Sequence, residues 1–151
     1  MLSVTMSISR FVPFLLIVFL VFSIGCRRTV PRPEGMPELV PCTVTVTFGG
    51  EVIENVGVLL RSTDPENHWG AGGRTDAKGK AVLKTAGSFE GVAPGEYAIS
   101  FSKRVTNSNG PMGGEVSLIP MKYAPKQSTE TITVVKGQSE YSFALDGVPV
   151  E

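Results

Sequence analysis

The sequence predicts an all-β protein, a small antiparallel β-sandwich preceded by a signal peptide and a Pro-rich tether. Three observations point there. Polar and apolar residues alternate with a period of two in Thr43-Val44-Thr45-Val46-Thr47-Phe48 and in Tyr97-Ala98-Ile99-Ser100-Phe101-Ser102, the signature of strands with one buried face. Turn-forming residues separate such runs at short, regular intervals: Gly49-Gly50, Asp76 to Gly79, Pro94-Gly95 and Lys136-Gly137. After residue 25 no run of apolar residues recurs at the helical spacing.

In chain order the organisation is a signal peptide over 1–25, Cys26 and a tether over 26–41, the sandwich over 42–147 and a tail over 148–151. Phe11 to Gly25 contains no charge, and its fifteen residues would make about 22 Å of helix. That is short of the roughly 30 Å hydrocarbon core of a bilayer and suits the apolar region of a secretory signal. Arg10 and the amino terminus supply the positive charge that precedes such a region. Ser23-Ile24-Gly25-Cys26 resembles the lipobox of bacterial lipoproteins, with a small residue before the cysteine and Ser23 where an aliphatic residue usually stands. The resemblance implies cleavage before Cys26, lipidation of its thiol and anchoring to the cell envelope. Arg27 stands at the second position, where an acidic residue commonly retains lipoproteins at the inner membrane, so the implied address is the outer membrane. Arg27, Arg28 and Arg32 could also hold anionic headgroups, each contributing about 1 kcal/mol at a charged surface. The same arginines leave two alternatives open: an uncleaved anchor, and an anchor of reversed orientation, since positive charge favours the cytoplasmic side.

Thr29 to Pro41 holds four prolines in thirteen residues, which excludes a helix and favours an extended spacer of roughly 40 Å. The remaining chain of roughly 110 residues suffices for one core. Its strands are expected at Thr43 to Phe48, Val56 to Leu60, Ala81 to Thr85, Tyr97 to Ser102, Glu130 to Val135 and Tyr141 to Leu145. Half-buried residues are expected around Ser117 to Ile119 and Met121 to Tyr123. Ser62 to Arg74 reads as a long polar loop, in which Gly70 to Gly73 serve flexibility, and Asn107 to Gly114 reads as a second glycine-rich loop. Asp76 can cap backbone amides in a compact turn, with Gly79 at positive φ. Tyr97, following the Pro94-Gly95 turn, is expected to bury its ring with its hydroxyl near the edge.

The succession Thr75-Asp76-Ala77-Lys78-Gly79-Lys80, Val92-Ala93-Pro94-Gly95-Glu96-Tyr97, Ile119-Pro120-Met121-Lys122-Tyr123 and Val134-Val135-Lys136-Gly137 resembles the carboxypeptidase-regulatory-like, transthyretin-like domains of small bacterial lipoproteins. The resemblance spans about Pro41 to Asp146. It implies a seven-stranded, prealbumin-like Greek-key sandwich acting as an accessory or binding element rather than an enzyme. Hydroxyisourate hydrolase shares that fold but uses several histidines, an arginine and a Tyr-Arg-Gly-Ser motif. This sequence has one histidine and no such motif.

Composition narrows the function further. The formal charge is zero and no basic stripe occurs, so nucleic acid is not an expected partner. One histidine with no paired cysteines makes a zinc site unexpected, and Asp64, Glu66 and Asp76 lack the spacing of a calcium loop. Neither a phosphate-cradling Gly-Lys-Ser/Thr motif nor a Gly-x-Ser-x-Gly elbow occurs, and no cofactor is expected. With Cys26 lipidated, Cys42 is a lone thiol at the start of the first strand, where it packs as a small apolar residue.

The one loop with unusual chemistry is Asp64-Pro65-Glu66-Asn67-His68-Trp69. Trp69 could stack on a sugar ring or an apolar patch, with Glu66 and His68 as hydrogen-bonding neighbours and Asp64 beside them. The competing reading folds Trp69 over the edge of the sandwich and leaves the polar residues solvated. The leading expectation is a non-catalytic module, anchored to the membrane through Cys26, that docks an envelope protein by loops or a sheet edge. Its rival is a module that binds a glycan or small ligand through Asp64, Glu66, His68 and Trp69.

Overall fold

The computed structural model describes residues 30–107 and 114–147. The expected signal peptide, Cys26, residues 108–113 of the second glycine-rich loop and the tail over 148–151 lie outside these. Among the described residues no helix is long and apolar enough to cross a membrane.

The chain is all-β. Strands β1 (Thr43–Phe48), β2 (Glu51–Val52), β3 (Gly57–Ser62), β4 (Ala71–Arg74), β5 (Lys80–Val82), β6 (Lys84–Thr85), β7 (Phe89–Glu90), β8 (Gly95–Ser102), β9 (Arg104–Asn107), β10 (Gly114–Ser117), β11 (Thr131–Val134) and β12 (Glu140–Leu145) are joined by turns and one 3-10 turn at Met121–Tyr123. The larger sheet runs β11-β8-β3-β4-β6-β7. In the smaller sheet β1 is central, with β12 on one side and β2 and β5 sharing the other. β9 and β10 form a separate two-stranded ribbon.

The period-two pattern works as expected in β1. Val44, Val46 and Phe48 are buried, while Thr43, Thr45 and Thr47 lie on the opposite face. They meet Val58 and Leu60 of β3, Tyr97, Ile99 and Phe101 of β8, and Ile132 and Val134 of β11 in one core. Phe101 joins the two sheets: its ring lies 5.5 Å from that of Phe143 on β12 and meets Tyr123 edge-on at 6.3 Å.

Every strand ladder among the described residues is antiparallel except one. β12 runs parallel to β1, from Thr43 opposite Glu140 to Phe48 opposite Leu145. No hairpin constrains two strands that far apart in the chain, so direction there is set by packing. In this register Leu145 lies beside Phe48 and Phe143 beside Val46.

Three expectations change. Ala71–Arg74 is a strand and not part of a loop, since β4 pairs with β3 from Gly57 opposite Arg74 to Leu60 opposite Ala71. Its glycines serve close approach rather than flexibility: a Cβ on Gly73 would sit 2.6 Å from the carbonyl oxygen of Val82. Second, the expected strand Ala81 to Thr85 is broken at Leu83 into β5 and β6, which join different sheets. Leu83 is fully buried at that crossing. Third, residues 29–41 are not a free spacer along their whole length, because the compact unit begins at Pro33. Val40 and Val92 exchange two backbone hydrogen bonds of 2.9 Å, and Lys136 Nζ meets a Glu38 carboxylate oxygen at 2.7 Å. Extended backbone with apolar side chains finds an unpaired edge there, which an isolated polyproline spacer would leave to water.

The turn at Asp76 forms as expected. Its Oδ1 accepts from the backbone N–H groups of Lys78 at 2.8 Å and Lys80 at 3.0 Å, and Gly79 has φ of 71°. The Lys80 amide, then the Lys78 amide, hold the Asp76 carboxyl below its ordinary range. Thr75 beside it is buried, donating to Ile53 O and accepting from Val56 N–H.

Cys42 is buried at the edge of the core, and desolvation pushes its thiol up to about 11. At pH 8 roughly one thiol in a thousand is then ionised, against roughly one in ten at the unshifted value of 9.0. Iodoacetamide should therefore alkylate the Cys42 peptide about 100-fold more slowly in the folded protein than in denaturant, as read by peptide mass spectrometry. The raised value also fixes the sign of a pH effect. The stabilisation is complete below pH 9, where both states hold the proton, and is lost as pH rises from 9 towards 11.

Candidate functional site

The loop between β3 and β4 is built on its own hydrogen bonds. Ser62 Oγ accepts from the Asp64 N–H at 3.1 Å, and Asp64 Oδ1 accepts from the Glu66 N–H at 2.9 Å. Thr63 reaches across to β8, where its N–H and hydroxyl both donate to the Glu96 carbonyl. These side-chain-to-backbone bonds give the loop a defined course without secondary structure.

Asn67 is the hub, and sequence reasoning missed it. Its Nδ2 donates to the Tyr97 hydroxyl at 3.1 Å, and its Oδ1 accepts from the Trp69 N–H at 3.1 Å. The Tyr97 hydroxyl donates onward to the Ala93 carbonyl at 2.8 Å. Tyr97 is fully buried as a residue, and that burial raises its pKa. A buried phenol needs partners, so asking which loop amide could serve Tyr97 would have singled out Asn67.

The four expected site residues do not converge. Asp64, Glu66 and Trp69 line one open groove of 330 Å³ together with Asn67, Ala93, Pro94 and, from the docked N-terminal segment, Gly35 and Pro37. His68 faces a different groove of 420 Å³, lined by Leu59, Arg61, Asp64, Pro65 and Gly70 among others. Of the two polar neighbours expected beside Trp69, Glu66 lines the same groove and His68 lines the other. Asp64 and Asn67 border both grooves, and His68 and Trp69 lie on either side of them. Trp69 is half-buried, while Asp64, Glu66 and His68 are exposed. The indole thus packs partly over the sandwich edge and partly forms the groove wall.

Chemically the first groove offers one aromatic wall, two proline faces, two carboxylates and no cation. Such a set can stack an apolar ring face and accept hydrogen bonds from hydroxyls. Among the described residues no three His, Cys, Asp or Glu side chains cluster in a way that could hold a metal ion.

A third depression lies on the outer face of the larger sheet, beside the His68 groove, with which it shares Leu59 and Arg61. Leu59, Arg61, Ala98, Ile99 and Ser100 form its floor, and Pro125, Lys126 and Ser128 form its wall. Its two sides are distant in the chain, so the sequence pattern did not bring them together.

Compared with known proteins, the chain matches no family model, no curated protein and no solved structure.

Proposed function

We propose that this chain is a non-catalytic, lipid-anchored module of the bacterial cell envelope, held to the membrane through Cys26, whose transthyretin-like sandwich docks a partner protein by strand addition. The observation that carries the docking is the pair of open sheet edges formed by β11 and β12. Among the described residues β11 pairs only with β8, and β12 only with β1. Natural edges are commonly guarded by proline or lysine, yet neither residue occurs in Thr131–Val134 or Glu140–Leu145. Val135, just beyond β11, is 43% exposed, and Tyr141 and Phe143 on β12 are only half-buried. A strand added to either edge gains backbone hydrogen bonds and apolar contact together. The buried Cys42 thiol, raised to about 11, supports a non-nucleophilic role for that residue.

A carbohydrate-binding reading is favoured by one observation, the cation-free groove walled by Trp69 and the carboxylates of Asp64 and Glu66. One experiment separates the two. The full chain is expressed in a bacterium with its native N-terminus, carrying a photo-crosslinking residue at Thr133 or at Trp69. Its membrane-extracted form should have the mass of residues 26–151 plus acyl chains. Position 133 should give a discrete protein adduct, which Thr131→Lys on the same edge abolishes. Full-length mass without lipid would refute the anchor. Adducts absent at 133, combined with Trp69 fluorescence that responds to envelope glycans, would replace docking with glycan binding.

A further inference from the structure

The depression over β3 and β8 has the features of a small, preformed site. Its volume of 170 Å³ is close to that of an engineered protein cavity of about 150 Å³ that accepts benzene. Leu59 supplies an apolar floor and is 48% exposed. In its alternating strand Leu59 faces outward between the buried Val58 and Leu60. Small residues surround it: Ser100 is its cross-strand partner on β8 and Gly72 its partner on β4, with Ala98 opposite Arg61. The hollow exists because these neighbours lack bulk.

Two cations border it, Arg61 from β3 and Lys126 from the turn after the 3-10 segment. Among the described residues neither makes an ion pair. Among the described residues no carboxylate lines the depression; Glu96 and Glu130, nearby along the sheet, are outside it. The backbone at Lys126 adds an independent observation. The Gln127 N–H donates to the Ala124 carbonyl at 3.0 Å, closing a turn with Pro125 in its second position and Lys126 at φ of 73° in its third. That third position calls for glycine or asparagine. A lysine there is strained, and strain of this kind gathers where a side chain has a task.

We infer that this depression binds a small carboxylate carrying a branched or ring-shaped apolar group, the carboxylate held by Arg61 and Lys126 and the apolar group seated on Leu59. Arginine offers a planar donor fork to a carboxylate, and lysine a mobile charge beside it. The same chemistry is presented by a free acid and by the C-terminal residue of a peptide. This site is separate from the sheet edges and from the Trp69 groove.

The test uses the full chain in detergent micelles, with titration calorimetry and empty micelles subtracted. The probes are 4-methylpentanoate and its uncharged amide, and acetyl-Gly-Leu with a free or an amidated terminus. Saturable binding of an acid below about 10 mM is expected for a ligand of this size. The matching amide should bind at least fivefold more weakly. Arg61→Gln and Lys126→Gln should each weaken the acid at least fivefold. Lys126→Gly should raise Tm by relieving the positive φ and yet weaken binding, which separates the site from the stability of the fold. Tighter binding of the peptide acid would identify a chain terminus as the source, and tighter binding of 4-methylpentanoate a free acid. Equal affinity for acid and amide, or full affinity in Lys126→Gly, would overturn the inference.

Discussion

Phe101→Ala is expected to destabilise the domain by about 3–5 kcal/mol, the usual cost of emptying a packed aromatic site. Phe101 is 1% exposed and its ring meets Phe143 on β12 at 5.5 Å and, edge-on, Tyr123 of the 3-10 turn at 6.3 Å. Its loss removes apolar burial and two ring contacts, one of which ties β8 to β12 across the core. Neither neighbour can collapse freely into the void. Tyr123 is held by its hydroxyl, which accepts from the Asp146 N–H at 2.9 Å. Phe143 is held in the parallel register with β1, opposite Val46. A domain of this size has only about 5–15 kcal/mol in total. Thermal unfolding should therefore show a Tm lower by roughly 12 °C or more, and Phe101→Leu, which keeps most of the volume, should lose less than half as much. A Phe101→Ala protein with nearly unchanged Tm would mean that the sheets are held together elsewhere than at this contact.

Phe101 was legible in the sequence because period-two alternation in Tyr97 to Ser102 marks its face as buried. The same signal located β1, and turn chemistry located Asp76 and Gly79. What escaped was whatever depends on backbone meeting backbone. Ala71-Gly72-Gly73-Arg74 has no β-branched or aromatic residue, so propensity reads it as loop. It becomes a strand because Val82 approaches where only a missing Cβ leaves room. The parallel pairing of first and last strands escaped for a related reason: alternation identifies the buried face of each but says nothing about direction. At the candidate site, Trp69 and the carboxylates were legible as unusual chemistry in one loop. The separation of His68 into a second groove was not, since it depends on the course the loop takes once Asn67 is bound to Tyr97. Lys126 left a signal that could have been used, a lysine directly after Ala124-Pro125 where a turn invites glycine.

Gly91→Ala should have the second large effect, a loss of about 3 kcal/mol, combining a strained backbone with two weakened hydrogen bonds. Gly91 has φ of 102°, a region that side-chain-bearing residues rarely adopt. An added Cβ would lie 2.6 Å from the Val40 carbonyl oxygen and 3.0 Å from its carbon. Both contacts are with backbone, so rotating a side chain gives no relief. Gly91 cannot easily retreat, because its N–H donates to Leu83 O at 2.9 Å and its carbonyl accepts from the buried Thr85 hydroxyl at 2.7 Å. Val40 must move instead, and with it the paired bonds between Val40 and Val92. Two measurements separate this from general destabilisation. Tm should fall, and exchange of the Val92 amide should accelerate more than that of core amides in β8. If Tm falls while Val92 stays as protected as β8, the strain is absorbed without undocking. The N-terminal segment is then held by more than this bridge, by Lys136 with Glu38 and by Pro37 beside Trp69. If Val92 opens first, the bridge at Gly91 decides how much of the Pro-rich stretch is wall of the Trp69 groove and how much is free chain.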